Sequence, residues 1–166
     1  MKKTYLILPL LLLILSCATS CVAQDSVSVN ETITQHYNRL LKEKLGDSIA
    51  TIVINAKRAV IVCDSVAKKL SSGEVEIAKY LVSDTCNYDN GAKAQGLFYN
   101  YLELAFKNKK ETVRYQFDFV LNKMRIIGGN GKGLCEKDLR SYEILNFGLL
   151  AFPGNEYLKR FKTEKK

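Results

Sequence analysis

Few residues in this 166-residue chain have types and spacings that could do covalent chemistry. His36 is the only histidine, so a Ser-His-Asp or Cys-His relay would have to pass through it. It stands in a polar stretch between Gln35 and Tyr37 and reads as a surface residue. The same scarcity argues against zinc: Cys63, Cys86 and Cys135 are widely spaced and form no CxxC pair. Gly128-Gly129-Asn130-Gly131-Lys132-Gly133 has the glycine content of a phosphate loop. Gly133, however, stands where a GK[ST] ending would place a hydroxyl, so the segment reads as a turn. Asp84 and Asp89 share one polar loop, and paired carboxylates can serve acid–base work. Calcium would need a denser run of oxygens and a bidentate Glu, which that loop lacks. No catalytic residue, metal or cofactor is expected.

The better candidate is a surface for binding. Phe98, Leu102, Leu104 and Phe106 fall on even positions; Val113, Tyr115, Phe117, Phe119 and Leu121 fall on odd ones. Alternation of this kind marks strands with one buried face. The short polar stretch Lys107-Asn108-Lys109-Lys110-Glu111 between the runs makes them a hairpin. Pairing apolar against apolar fits residue numbers that sum to 219: Phe106 opposite Val113, Leu104 opposite Tyr115, Leu102 opposite Phe117. A slip of one residue would turn the large apolar groups to water, so the pattern locks the pairing. The opposite face then carries Tyr99, Tyr101, Glu103, Arg114, Gln116 and Asp118. Glu103 lies opposite Gln116, Tyr101 opposite Asp118, and Arg114 diagonal to Glu103 within ion-pair reach. Tyrosine and arginine anchor interfaces, so these six residues form the candidate binding face.

The remaining elements read as cover for that sheet. Ile33, Tyr37, Leu40 and Leu41 follow helical spacing up to Gly46, and Asp47 is placed to cap a second helix lined by Ile49, Ile52, Val53 and Ala56. Ile52-Val53-Ile54 could alternatively be a strand. Ala59 to Cys63 is a continuous aliphatic run, as in a strand buried on both faces. Ser71-Ser72-Gly73-Glu74 matches a capping box ahead of Val75, Ala78, Leu81 and Val82. Asp84 to Gly91 is a polar loop, Met124 to Ile127 a third hairpin strand, and Gly128 to Gly133 closes the meander. Ser141 can cap a last helix with Ile144, Leu145, Leu149 and Phe152 inside. Pro153 ends it, and Tyr157, Leu158 and Phe161 add a turn packed on the core. The expected fold class is a two-layer α+β domain, an antiparallel meander sheet with helices mainly on one face.

The N-terminus carries an export signal. Met1-Lys2-Lys3 is a basic start, and Tyr5 to Leu15 is an apolar run of 11 residues, too short to span a bilayer. Ile14-Leu15-Ser16-Cys17 follows, and it resembles the lipobox of bacterial lipoproteins. That resemblance implies cleavage before Cys17 and diacylglycerol attachment to it, and two acyl chains suffice for stable anchoring. Ala18 and Thr19, with no acid beside the cysteine, resemble outer-membrane sorting in Gram-negative lipoproteins. Two alternatives stay open: lipidation at Cys21, or cleavage after Ala23 to release a soluble periplasmic or secreted protein. The expected organisation is a lipoprotein signal peptide at 1–16, a tether at 17–31, one α+β domain at 32–161 and a basic tail at 162–166. The compartment permits disulfides, and Cys86 could pair with Cys135, whereas Cys63 reads as a core residue.

The net charge of +8 does not read as a nucleic-acid signal. Lys2 and Lys3 account for two charges and the segment from Lys159 to Lys166 for four, which leaves +2 for the body. A phosphate-binding face needs cations clustered on one folded surface, and here the excess sits at the ends.

Four short segments in fixed order resemble a group of small Gram-negative envelope lipoproteins of unknown function. They are Asn55-Ala56-Lys57, Tyr80-Leu81-Val82-Ser83-Asp84, Tyr115-Gln116-Phe117-Asp118-Phe119 and Leu149-Leu150-Ala151-Phe152-Pro153-Gly154-Asn155. The resemblance implies a shared fold and export, with no activity or binding residue to carry over. It also departs from the group, which often has a tryptophan in the third strand, near Met124 here. The expectation is a lipid-anchored envelope protein that acts by binding a protein or glycan partner. An inhibitor or immunity-type protein is the alternative, and an envelope enzyme a weaker one.

Overall fold

The computed structural model of the protein describes residues 32–84, 87–89, 97–109, 111–128, 133–140 and 142–163. Residues 1–31, with Cys17 and Cys21, and also Cys86, residues 129–132 and Ser141 lie outside them. The chain divides into two units, residues 1–36 and 37–166. In the first, residues 32–36 form the opening turn of α1 (Ile33–Leu45). The Thr32 amide donates to Gln35 Oε1 at 2.9 Å and the Gln35 amide to Thr32 Oγ1 at 3.3 Å. That reciprocal pattern satisfies donors that the first helical turn would otherwise leave open.

The second unit holds the sheet. Strands β1 (Arg58–Cys63), β2 (Val66–Lys69), β3 (Tyr88–Asp89), β4 (Leu102–Asn108), β5 (Glu111–Asp118), β6 (Lys123–Ile127) and β7 (Gly133–Leu139) form an antiparallel sheet in the order β2-β1-β4-β5-β6-β7-β3. Helices α2 (Asp47–Ile54), α3 (Ser72–Ser83), α4 (Glu143–Ala151) and α5 (Glu156–Thr163) complete an α+β fold with the helices mostly on one side. α2 packs over β4 and β5, and α3 and α4 reach β1.

The central hairpin has the predicted register from Leu102↔Phe117 to Phe106↔Val113, and the pairing continues to Asn108↔Glu111. Leu102, Leu104, Phe106, Val113, Tyr115 and Phe117 are fully buried. At roughly 2 kcal/mol for each large side chain, this strip is a dominant share of the core. The rings of Phe106 and Tyr115 meet edge to face at 5.7 Å, an arrangement the aromatic quadrupole favours. Gly148 brings α4 against Leu102: a Cβ there would lie 2.8 Å from Leu102 Cδ2.

Four expectations need correction. β1 is not buried on both faces: Ala59, Ile61 and Cys63 are buried, whereas Val60 and Val62 are half-buried, because aliphatic side chains on both faces hide the period. Three strands escaped detection, β2, β7 and the two-residue β3, which falls in the stretch read as a polar loop. All four residues of β2 are exposed, and β7 carries Glu136, Lys137 and Asp138. Asp47 is not a cap; Gly46, at φ +80°, precedes the helix and Asp47 stands in its first turn, where a negative charge suits the helix dipole. Finally, Cys135 carries a free thiol, as does Cys63. Residues 52–54 are helical.

The capping box of α3 is present as read. The Ser71 amide donates to Glu74 Oε2 at 2.7 Å, and the Glu74 amide to Ser71 Oγ at 3.4 Å. The Ser71 amide and hydroxyl hold the Glu74 carboxyl below its ordinary value of 4.5. A carboxyl with a lowered folded pKa contributes stability above 4.5 and loses it as the pH falls through the folded value. Glu74→Ala should therefore cost about 1 kcal/mol in urea unfolding at pH 7. The difference from the parent should shrink below pH 4.5; a difference constant into strong acid would contradict the assignment.

Candidate functional site

Asp118 occupies an outward register position on β5, opposite Lys123 of β6, yet it is fully buried. Its Oδ2 accepts from the Tyr99 amide at 2.8 Å. Its Oδ1 accepts from the amides of Val120 and Leu121, both at 2.9 Å. A buried carboxylate is tolerated when its lone pairs are filled in this way. The chain leaves β5 into a turn that Asn122 finishes at φ +51°, and the same carboxylate ties that turn to the segment before β4. Asp118 is thus a structural tie. Its place in the binding face is corrected: sequence position gives its register but not the segment that covers it.

Tyr101 also leaves the expected face. Its amide donates to the Phe117 carbonyl at 3.1 Å, but paired β4 residues begin only at Leu102. Its half-buried ring meets the buried Phe161 of α5 edge to face at 5.0 Å, so it engages the helical layer. Burial, and then the charges of Asp118, Tyr99 and Tyr157, push its phenol up, which keeps it a neutral hydrogen-bond donor. Phe98 is likewise displaced from the apolar run. The Arg125 guanidinium lies 4.2 Å from its ring centroid, and Arg125 is the cross-strand neighbour of Gln116 and Glu136. Alternation cannot be extended backward through residues 97–100, which form no strand.

Glu103, Arg114 and Gln116 do share the predicted row. Gln116 Nε2 donates to Glu103 Oε2 at 2.8 Å, Asn100 Nδ2 donates to the same oxygen at 3.3 Å, and Arg114 Nε stands 4.0 Å from Glu103 Oε1. Arg125 continues the row, with Nε and NH2 donating to Glu136 Oε1 at 2.8 and 2.6 Å. These groups largely satisfy one another.

The better site lies at the end of the sheet. Tyr99 and Tyr101 line a concavity of about 240 Å³ together with Cys63, Asp64, Asn100, Asn155 and Tyr157. Three separate chain segments build it. Asp64 (φ +48°) and Ser65 (φ +66°) are the two-residue turn between β1 and β2, a conformation that suits a tight hairpin. Residues 99–101 are held by Asp118. Asn155 Oδ1 accepts from the Leu158 amide at 3.0 Å and so opens α5, which buries Leu158 and leaves Tyr157 exposed. The Tyr99 and Tyr101 ring centroids are 6.3 Å apart. Burial, and secondarily the Asp64 charge, push the Cys63 thiol up, so it stays protonated and unreactive. Flat aromatic faces with amides at the rim can stack on a ring-shaped ligand and hydrogen-bond its polar edge.

Sequence reasoning found Tyr99 and Tyr101 but missed Tyr157, Asn155, Asn100 and Asp64. The one available signal was Tyr157 beside the buried Leu158 in an amphipathic turn. Among the other candidates, Asp84 ends α3 and its amide donates to the Tyr80 carbonyl at 3.0 Å; the Asp89 side chain lies outside the described residues. His36 is half-buried on α1 in the first unit. Among the described residues, no cluster of His, Cys, Asp and Glu could hold a metal ion. No known family, curated protein or solved structure matches the chain.

Asp118→Ala should cost about 3 kcal/mol, because three amides lose a charged acceptor. Asp118→Asn should cost roughly half of that, since its Oδ1 can still serve Val120 and Leu121. Urea midpoints decide it; an alanine variant within about 0.5 kcal/mol of the parent would remove Asp118 as the tie.

Proposed function

We propose that the protein is a lipid-anchored component of the bacterial cell envelope, sorted to the outer membrane, that acts by binding and not by catalysis. Its ligand is a glycan-type molecule, with sugar rings stacked on Tyr99 and Tyr157 and hydroxyls met by Asn100, Asn155 and the Tyr101 phenol. The observation that carries the binding assignment is the concavity itself: three tyrosines and two asparagines around a thiol that burial keeps protonated. Tyrosine offers large contact area at low entropic cost, and asparagine offers adaptable hydrogen bonding. Support for the anchor comes from the basic start, the 11-residue apolar run and the lipobox-like Leu15-Ser16-Cys17. The resemblance to small envelope lipoproteins rests on short structural motifs and agrees with it. Among the described residues, no helix is long and apolar enough to cross a membrane.

Two measurements test the two halves. Cys17→Ala should release the protein from the membrane fraction; unchanged membrane association would remove lipidation at that position. The chain has nine tyrosines and no tryptophan, so ligand stacking on tyrosine is readable in its own fluorescence. Titration with envelope glycan fragments should quench that emission saturably, and Tyr99→Ala with Tyr157→Ala should weaken binding about tenfold or more. Equal binding by the parent and the double variant would overturn the site.

A further inference from the structure

At the opposite end of β1, the fold gathers cations that the sequence spreads over more than fifty positions. Lys57, Arg58, Lys107 and Lys109, with Asn55 and Asn108, line an open cleft of about 680 Å³. All four cations are exposed. Arg58 and Lys107 are direct cross-strand partners in the β1–β4 ladder, where like charges oppose folding. Among the described residues, no carboxylate forms an ion pair with any of the four. Glu111, opposite Asn108 across the hairpin, is the acid next to them in the ladder, and it does not line the cleft. The last carbonyl of α2 already has a cation of its own, since Lys79 Nζ reaches the Ile54 carbonyl at 3.1 Å. The small charge of the body therefore hides a local concentration of positive charge on one folded surface.

We propose that this cleft is a binding site for a small, multiply charged phosphate compound. A phosphate group presents three strong acceptors and close to two negative charges, which is what four converging cations and two amides can neutralise. Arg58 supplies the planar fork for two phosphate oxygens, the lysines supply point charges, and Asn55 and Asn108 supply neutral donors. The volume is that of a small-molecule site, too confined to follow a nucleic-acid backbone over several phosphates. The repulsion between Arg58 and Lys107 turns into attraction once an anion lies between them. The site is separate from the tyrosine concavity and does not depend on its function.

The test is calorimetric titration of the full-length chain with inorganic tripolyphosphate at low salt. Saturable binding is expected, weakened about tenfold or more in Arg58→Gln/Lys107→Gln. That variant should unfold at the same temperature as the parent or higher without ligand, because a repulsion has been removed. Should it fail to fold, Lys57→Gln/Lys109→Asn serves the same purpose. Vesicles containing acidic phospholipid form a second arm, read as the difference in co-sedimentation between the two chains in a Cys17→Ala background. Tripolyphosphate binding identifies a free phosphate compound, and a vesicle difference without it identifies a phospholipid headgroup; both support the site. Absence of both, equal binding by the variant, or citrate binding as tight as tripolyphosphate would overturn it.

Discussion

The buried carboxylate of Asp118 is the interaction on which the rest of the functional end depends. It stands on the face of β5 that should meet water, and a charge there would ordinarily remain hydrated. Three backbone amides replace the water, from Tyr99 on one side and from Val120 and Leu121 on the other. The result is a clamp between two segments that lie outside the paired strands and are otherwise held by single backbone bonds, Tyr101 to Phe117 and Leu139 to Asn122. With residues 97–101 drawn across the end of the sheet, Phe98 comes to rest against Arg125 and Tyr101 turns to Phe161. Tyr99 is left exposed beside the β1–β2 turn and the start of α5, and the concavity is a consequence of that placement.

Much of the fold was legible because the hydrophobic pattern of the hairpin admits one register. Large apolar residues at every second position in β4 and β5 leave no competing alignment, and the loop between them is short. The Ser71–Glu74 cap was legible because its chemistry is local. What stayed hidden had a physical cause in each case. In β7 the inward row is Cys135, Lys137 and Leu139, so a buried lysine interrupts the apolar alternation, and on the other face Asp138 pairs with the buried Lys123 of β6. In β2 there is no buried side chain to leave a period at all. The tyrosine site was half legible: an aromatic residue is visible in sequence, but its neighbours Asp64, Asn155 and Tyr157 arrive from distant segments. The cationic cleft was invisible for the same reason, and counting charge along the chain pointed away from it.

The distribution of charge over the sheet separates surfaces that are spent from surfaces that are available. Across the outer row, Glu103 with Gln116, and Arg125 with Glu136, largely complete one another's hydrogen bonding. Such exposed pairs stabilise little, but they leave few donors for a partner. The described sheet edges are blunted in two ways: β2 is a short strand ending in Lys68 and Lys69, and β3 has only two residues. Both are recognised protections against edge-to-edge association. The groups left for a partner lie at the two ends of β1, exposed tyrosine rings at one and uncompensated cations at the other.

Native-state hydrogen exchange at the amides of Tyr99, Val120 and Leu121 tests the clamp most directly. All three lie outside the strands, where amides ordinarily exchange at rates set by local opening. If Asp118 holds them, they should be protected nearly as strongly as the central amides of β4 and β5, and all three should lose protection together in Asp118→Ala. Fast, independent exchange at these positions in the parent protein would show two loose loops there, and the account of how the site is built would fail.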